Sequence, residues 1–535
     1  MGWGMFQKIV GVLRFIYRVS RSKPVEICIV LTILLHILPI WLFRYYPTQD
    51  GPCHLANAII LKEYHQHQIY QEYFQLNLKP ASNWFSHITL AVLMYVVPPL
   101  IAEKILITLY AVLFPFSIFY FIDAVHKGRR LLGFIGFLFM YNYMLHMGSY
   151  NFAFSMPVLF FCVGYWWKHR EAFHWRRLLI LNLLFIFTYF CHIVSQALAI
   201  ATILLLAAVT TRRSNLKSRL LLPFAMSPSY LLPLWYLFYR QGNASDKWPL
   251  GQLCDYFTQI RSVATFGEQD IVPQLLAWLL IAIFIYTIVE RFNLFRWDSQ
   301  RKRFQFRFQA SDAFYLIFAL LAGAYFTVPD IMTGSGLISA RLCLYPFIAL
   351  LPALSQEMRR PFQWVFGLAI ITLVVVQLHM NIKYYRTLSA DLEEYTSGIG
   401  IVQRNKTFLS LSFNHGGSLP GNRIDVFVHA IGYYAAERRG VGLDNFEVFT
   451  GYFPIRCKPA FQQWLDYSDL VIMESNPAKV DVNRYGHRLD YVVTWAMPLD
   501  LPVSARIQEH YQQVYVSERQ RLRIFARKEA PVNDE

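Results

Sequence analysis

Long apolar runs separated by short polar stretches dominate the chain up to about residue 380. A helix needs about 20 mostly apolar residues to cross the hydrocarbon core of a membrane. The run Phe362–Met380 has this length and contains no Asp, Glu, Lys or Arg. The pattern predicts about eleven transmembrane helices, at residues 24–44, 104–124, 131–147, 150–167, 178–191, 193–210, 220–239, 272–290, 312–328, 341–355 and 362–380.

Three segments between these runs have less regular patterns. Residues 55–75 show helical amphipathicity, which predicts a helix lying along the membrane interface. Residues 87–101 are apolar but are interrupted by Pro98 and Pro99, so we expect a re-entrant or interfacial element. Residues 178–210 are too long for one helix and short for two, and His192 near the middle predicts a tight outer turn.

The last part of the chain, residues 384–535, is less apolar and mixes the periodicities of strands and helices. It predicts a small α/β domain. The predicted strands are Thr407–Phe413, Leu470–Met473, Tyr491–Thr494 and Leu522–Ala526, and the predicted helices are Asp425–Arg438 and Arg506–Tyr515. The expected organisation is a basic N-terminus (1–23), a transmembrane domain (24–383) with a first outer loop (45–103), and an extracytoplasmic α/β domain (384–535).

Composition and charge agree with a polytopic α-helical membrane protein. The chain is 55% hydrophobic and 16% charged, with a formal net charge of +16. Loops expected on one side carry 24 Lys and Arg residues against 8 on the other, and such an excess marks the cytoplasmic side. We therefore expect a cytoplasmic N-terminus and, with an odd number of spans, a C-terminal domain outside. Because the positive charge is explained by topology, nucleic acid is excluded as the expected partner.

The first outer loop supplies the main candidate for chemistry. It begins YYPTQDGPCHLANA, which places Asp50 and His54 just beyond the first span. Gly51 and Pro52 favour a turn that holds the Asp50 carboxylate in place at the membrane boundary. The alternative is that Asp50 only caps the helix that follows.

These residues also carry a resemblance. Asp50–Ala58 matches a DGPxHLxNA signature, and the chain resembles bacterial members of the GT-C glycosyltransferase superfamily, related in layout to protein O-mannosyltransferases and lipid A aminoarabinose transferases. Members of this superfamily take a sugar from a polyprenyl-phosphate or polyprenyl-pyrophosphate donor on the outer side of the membrane. Other stretches that resemble the group are GSYNFAF (148–154), YFCHIV (189–194), GSGLISARL (334–342) and VHAIGYYAAERRG (428–440).

The resemblance implies roles for individual residues. Asp50 matches the first-loop acid, which acts as a general base on the acceptor or positions the acceptor or a metal. Many members have a second acid in a later outer loop, but the corresponding turn at 145–151 has none, which argues against a divalent metal. No metal ligand is therefore predicted. His54 or His146 is a candidate acid or base, and a structural role is the alternative for both.

Other polar residues near the predicted outer surface are candidates for the same site. Arg341 lies at the outer end of a short span and suits a lipid-linked phosphate, because its guanidinium offers a fork of donors. The alternative is that Arg341 reaches toward lipid headgroups. His192 and Asn151 are, with His146, candidates to line the same cavity.

The resulting hypothesis is a glycosyltransferase of the bacterial inner (plasma) membrane. It would move a sugar from a polyprenyl-phosphate donor to a glycan, lipid or protein acceptor of the envelope, in contact with membrane lipids. No cofactor beyond this lipid-linked donor is predicted. The alternative is a non-catalytic membrane subunit of envelope polysaccharide assembly or transport, which the missing second acid favours.

Overall fold

A computed structural model describes residues 24–171, 174–239, 247–292, 309–332, 336–356 and 358–528. Most of these residues are helical. The helices are α1 Pro24–Leu42, α2 Gly51–Glu63, α3 Gln68–Tyr73, α4 Phe85–Leu93, α5 Pro99–Val125, α6 Ile135–Met140, α7 Tyr143–His146, α8 Tyr150–His169, α9 Trp175–Cys191, α10 Ile193–Val209, α11 Leu216–Ala225, α12 Leu231–Tyr239, α13 Leu250–Thr258, α14 Ile271–Phe292, α15 Ala313–Thr327, α16 Ile338–Leu342, α17 Leu344–Leu354, α18 Arg360–Thr396, α19 Gly432–Arg438, α20 Glu447–Thr450, α21 Pro459–Gln462, α22 Tyr467–Ser475 and α23 Pro502–His510.

Five helical stretches of the described chain are long and apolar enough to cross a membrane. The bent pair Arg213–Ser229 and Leu231–Tyr239, which turns by 55°, makes up to six if it counts as one broken span. Shorter apolar helices pack among them, so the count of eleven stays a prediction. The five stretches are Pro24–Leu42, Pro99–Val125, Gly267–Glu290, Ala310–Thr327 and Arg360–Ile401.

The last membrane helix is much longer than its apolar run. The sequence predicts a span at 362–380, but α18 continues to Thr396. Its final turns are buried through Leu388, Leu392 and Tyr395, which pack in the common hydrophobic core. The expected domain boundary at residue 384 therefore falls inside a continuous helix, and the C-terminal domain is held on a rigid extension of the bundle.

In two of the irregular segments, one helix ends and the next begins where the sequence predicts an interruption. α4 ends at Leu93 and α5 begins at Pro99, which fits an element interrupted by the Pro98-Pro99 pair. α9 ends and α10 begins on either side of His192, whose backbone is extended. The amphipathic helix at 55–75 differs from expectation. It breaks after Glu63, and α2 is buried on nearly all sides, because it packs between α4 and the C-terminal domain.

Several basic loops meet at one end of the bundle. Arg130 forms an ion pair with Glu26 at the start of α1, with 2.9 Å between Arg130 Nη1 and Glu26 Oε1. Arg129 and Arg130 line an open cavity of about 850 Å³ together with Gln356, which precedes α18. The loops 126–130 and 356–361 therefore share one end with the start of the first span, as the charge count predicts; which side of the membrane this end faces stays a prediction.

The C-terminal domain contains a five-stranded mixed sheet. The strands of the chain are β1 Phe74–Leu76, β2 Thr407–Ser412, β3 Val441–Gly442, β4 Ile455–Cys457, β5 Tyr491–Trp495, β6 Tyr511–Val516 and β7 Leu522–Arg527. Their order in the sheet is β3-β2-β5-β7-β6, with β2 parallel to β3 and β5, and β7 antiparallel to β5 and β6. β2 and β5 are buried throughout, as expected for strands in the middle of a sheet.

The sequence predicts this domain in part. The strands at 407–413, 491–494 and 522–526 are present. The predicted strand Leu470–Met473 is wrong, because these residues belong to α22, whose start is capped by the Asp466 carboxylate accepting from the backbone N–H groups of Ser468 and Asp469. The predicted helix Arg506–Tyr515 ends early, at His510, and continues as β6. The predicted helix Asp425–Arg438 begins only at Gly432.

The C-terminal domain docks directly on the first outer loop. β1 pairs with β4 in a two-stranded antiparallel sheet. Arg439 forms an ion pair with Glu63 at the end of α2, with 2.7 Å between Nε and Oε2. α19 packs so closely on the start of α2 that a Cβ at Gly432 would lie 2.3 Å from the Pro52 carbonyl oxygen.

This close approach makes Gly432 a test of domain docking. The clash of any side chain at Gly432 is with backbone atoms, which have no rotamer to escape into. Gly432→Ala is therefore expected to destabilise the protein by about 1–3 kcal/mol, seen as a lower Tm in a thermal melt in detergent. The matched control is Gly251→Ala in α13, where a Cβ meets nothing within 4 Å, and an equal Tm for the two variants would contradict the docking argument.

Candidate active site

A cavity of about 220 Å³ lies between the first outer loop, the start of α8, the start of α16 and the C-terminal domain. Five segments that are distant in sequence contribute to its wall, the fifth being His192 between α9 and α10. Its lining includes five of the six residues that the sequence singles out. The lining residues are Asp50, His54, Asn83, Met147, Ser149, Tyr150, Asn151, Phe152, His192, Gly336, Leu337, Arg341, Phe446, Glu447, Thr450, Tyr452, Phe453 and Tyr467.

Asp50 is held in this wall by its backbone. Its N–H donates to the Met147 carbonyl at 3.2 Å, and its carbonyl accepts from the His54 N–H at 3.1 Å in the first turn of α2. Gly148 has a φ of +83°, and a Cβ there would lie 2.7 Å from the Asp50 nitrogen. Glycine is therefore the residue that lets the segment GSYNFAF pass against Asp50.

The Asp50 side chain does not act as a helix cap. Asp50 takes the N-cap position of α2, but its side chain accepts no capping hydrogen bond. Among the described residues, Oδ1 has no hydrogen-bond partner, and the nearest basic nitrogen, Nε2 of His429, lies 3.6 Å away. The carboxyl group is thus placed in the cavity wall, close to the side chains of Gln49 and His429, with Oδ1 left for a ligand.

Burial also changes the acid–base behaviour of Asp50. It raises the pKa of this carboxyl from its ordinary value to about 8, and the carboxylates of Glu447 and Glu474 act in the same direction. Burial lowers the pKa of the neighbouring His429 to about 3, so the contact between the two side chains is not an ion pair. A carboxylate with a raised pKa is a stronger base than an ordinary aspartate, and the fraction of Asp50 in this form grows as the pH rises toward 8.

His54, His87 and Glu447 form a buried cluster beside Asp50. His54 Nδ1 lies 2.6 Å from Glu447 Oε1, and His87 Nε2 donates to Glu447 Oε2 at 2.8 Å. Burial lowers the pKa of His54, but contact with the Glu447 carboxylate raises it above its ordinary value. Burial raises the pKa of Glu447, and the two imidazoles outweigh this and hold it well below its usual range. Glu447 is therefore ionised, and its negative charge lies against the imidazoles of His54 and His87.

Arg341 is the cationic residue of the cavity wall. It lies in α16, where its guanidinium donates to the Gly336 carbonyl and its Cζ is 5.6 Å from the centroid of the Phe152 ring. The Gly336–Leu337 turn before α16 is also part of the wall, and Leu337 has a positive φ of 58°. The structure thus brings the predicted phosphate ligand and the predicted base, Asp50, to the same cavity.

The remaining predicted residues have different positions. Asn151 lines the cavity, and its amide bridges the Ser86 N–H and the Asn83 carbonyl, at 2.8 and 3.0 Å. His192 lines the cavity with its ring edge-on to Phe152. His146 is absent from the described lining of the cavity.

His146 belongs to a buried hydrogen-bond network behind the cavity. Its Nε2 contacts the Tyr385 hydroxyl at 2.7 Å, and its Nδ1 lies 3.0 Å from the Thr265 hydroxyl. Its side chain is fully buried and is absent from the described lining of the cavity. This is the arrangement of a structural histidine, which the sequence analysis left open as the alternative.

Comparison with known proteins gives similarity in structure only. No family model matches the chain, and no curated protein matches it. The chain is similar to ArnT from Cupriavidus metallidurans in the apo state, with a TM-score of 0.48 and 11% sequence identity over 95% of this chain and 98% of that one. It is also similar to the structure of ArnT bound to undecaprenyl phosphate, with a TM-score of 0.47 and 12% identity over 95% of this chain and 99% of that one.

The second acid of the cavity is Glu447, which the sequence does not predict. The turn at 145–151 contains no acid, and Glu447 reaches the cavity from the C-terminal domain. The segment DNFEVFT around Glu447 has no spacing that marks it as functional. His87 was part of the predicted interfacial segment and was also not recognised. The argument against a divalent metal, which rested on the missing acid, therefore loses its basis.

Proposed function

We propose that this protein is a membrane glycosyltransferase that moves a sugar from a polyprenyl-phosphate donor to an envelope acceptor. The observation that carries the proposal is that Asp50 and Arg341 line one cavity at the end of the bundle opposite the clustered basic loops. The sequence resemblance around Asp50–Ala58 supports the same activity.

The size of the cavity fits a small headgroup. Its volume of about 220 Å³ is below the roughly 300–1,000 Å³ of pockets for drug-sized ligands. One sugar unit with its phosphate at the mouth is a suitable occupant, and the lipid chain would remain among the apolar helices. Aromatic side chains of the wall, including Phe152, Tyr452 and Phe453, supply faces against which a sugar ring packs.

The residues suit an inverting transfer. The acceptor hydroxyl oxygen forms a bond to the anomeric carbon, the bond between that carbon and the phosphate oxygen breaks, and polyprenyl phosphate leaves. Asp50 takes the proton of the attacking hydroxyl, and Arg341 binds the donor phosphate, which leaves as part of polyprenyl phosphate. His54 has one ring nitrogen on the Gly148 carbonyl and the other on Glu447, so in this scheme it positions and does not carry the proton.

A transfer assay tests the proposal. The purified full chain, reconstituted in liposomes, is incubated with a panel of polyprenyl-phosphate-linked radiolabelled sugars and an envelope extract as acceptor. We expect label to move from the lipid to the extract with at least one donor. Donor binding without transfer for the whole panel would instead favour the alternative, a non-catalytic subunit of envelope polysaccharide assembly or transport.

A further inference from the structure

We propose that His54, His87 and Glu447 form a binding site for one divalent transition-metal ion of the zinc class. One ligand atom from each of the three side chains lies within 4.8 Å of the others, and all three residues are buried. Two imidazoles and one carboxylate are the protein ligands of a common type of catalytic zinc site, in which the fourth position is left to water or substrate.

The separations within the cluster suit a tetrahedral ion. His54 Nδ1 and His87 Nε2 are 3.2 Å apart. Zinc–nitrogen bonds of about 2.0–2.1 Å place two tetrahedral ligand atoms roughly 3.3 Å apart, so the two imidazoles are already at the required spacing. The Glu447 oxygens lie closer to the imidazole nitrogens, at 2.6 and 2.8 Å, and a slight rotation of this carboxylate would admit the ion.

Groups around the cluster orient two of its three ligands, His54 and Glu447. His54 Nε2 lies 2.7 Å from the Gly148 carbonyl oxygen, an acceptor, so this nitrogen carries a proton and the Nδ1 lone pair is left for the ion. The Asn57 amide, one helical turn after His54, donates to the Glu447 carboxylate. A second hydrogen bond from each ligand to a fixed partner is typical of metal sites.

The position of the site gives it a role distinct from that of Asp50. His54 lies on α2, His87 on α4 and Glu447 on α20, so the ion would join the first outer loop to the C-terminal domain. His54 and Glu447 also line the cavity, so an ion bound to them would lie at the cavity wall. The site stands on this geometry and does not depend on the proposed transfer reaction.

Metal content tests this inference without any activity assay. The full chain is purified in detergent with a tag that contains no histidine, stripped with EDTA, and titrated with Zn²⁺, with bound metal measured by mass spectrometry. We expect about one tightly bound zinc per chain and a Tm that rises when zinc is added. Folded wild-type protein that binds no zinc would overturn the inference and leave the cluster as a hydrogen-bonded ion pair.

Variants locate the bound metal. His87→Ala is expected to weaken zinc binding about 100-fold or more, and Asn57→Ala about 10–100-fold, as for partners that orient metal ligands. His65→Gln removes an exposed histidine of the same loop and should bind zinc as the wild type does. If His87→Ala fails to fold, the zinc titration of Asn57→Ala decides whether the metal binds at this cluster. Wild-type affinity in Asn57→Ala and in any folded His87 variant would place the metal elsewhere and overturn the assignment.

Discussion

Asp50→Asn is expected to lower the rate of sugar transfer by about 10²–10⁴-fold, the usual contribution of a positioned general base. Asparagine has nearly the same shape as aspartate but cannot accept the proton of the acceptor hydroxyl. The Asp50 side chain makes no capping hydrogen bond, so replacing its carboxylate with an amide should not disturb α2. The measurement is the single-turnover transfer rate in liposomes, together with a thermal melt.

The control for this variant is Asp500→Asn, which changes an exposed carboxylate of the C-terminal domain outside the described cavity lining. It should transfer at the wild-type rate. We expect Asp50→Asn to keep the wild-type Tm and its affinity for the donor, because the substitution removes a proton acceptor and no donor contact. A transfer rate within a few-fold of wild type in Asp50→Asn would rule out Asp50 as the base.

The local pattern of the sequence predicts Asp50 as a residue of the candidate site, but it does not predict Glu447. Asp50 stands in a short polar loop directly after an apolar run, so its place at the membrane boundary follows from chain order alone. Glu447 reaches the same cavity only because α18 carries the C-terminal domain back over the first outer loop. The periodicity of the sequence does not predict that the C-terminal domain packs on the first outer loop, because this packing depends on long-range contacts such as the pairing of β1 with β4.

The errors in secondary structure have local physical causes. The apolar run Leu470–Met473 has strand composition, but the capping carboxylate of Asp466 fixes a helix start just before it. Tyr511–Val516 is rich in Tyr and Val, as strands are, yet it follows a helix without a glycine or proline to mark the change. The long extension of α18 was missed because its polar residues end the hydropathy signal although the helix continues.

Around the cavity, residues that are far apart in the sequence contact one another. Asn151 ties the start of α8 to the turn before α4 through Asn83 and Ser86, and this turn precedes His87 of the buried cluster. Asn57 and His54 of the signature both contact Glu447. In the DGPxHLxNA motif, Asp50 therefore supplies a carboxyl group of the cavity wall, while the His and Asn positions contact Glu447 of the C-terminal domain.

Arg341→Ala is expected to raise the KM for the donor about 10- to 100-fold, with a smaller effect on kcat. A hydrogen bond to a charged group contributes about 1.5–3 kcal/mol, and each 1.4 kcal/mol corresponds to a factor of ten. The guanidinium would lose its contact with the donor phosphate, while Asp50 and the acceptor side of the cavity stay intact. The measurement is the initial rate as a function of donor concentration at saturating acceptor.

Two further variants separate phosphate binding from a structural or lipid-facing role. Arg341→Lys keeps the charge but loses the planar fork of donors, so it should restore only part of the affinity. Arg359→Ala removes an exposed arginine at the opposite end of the bundle, where it pairs with Glu290, and should leave the KM unchanged. An Arg341→Ala enzyme with the wild-type donor KM would remove this residue from the donor site, because a guanidinium bound to the phosphate in the ground state cannot be lost without weakening that complex.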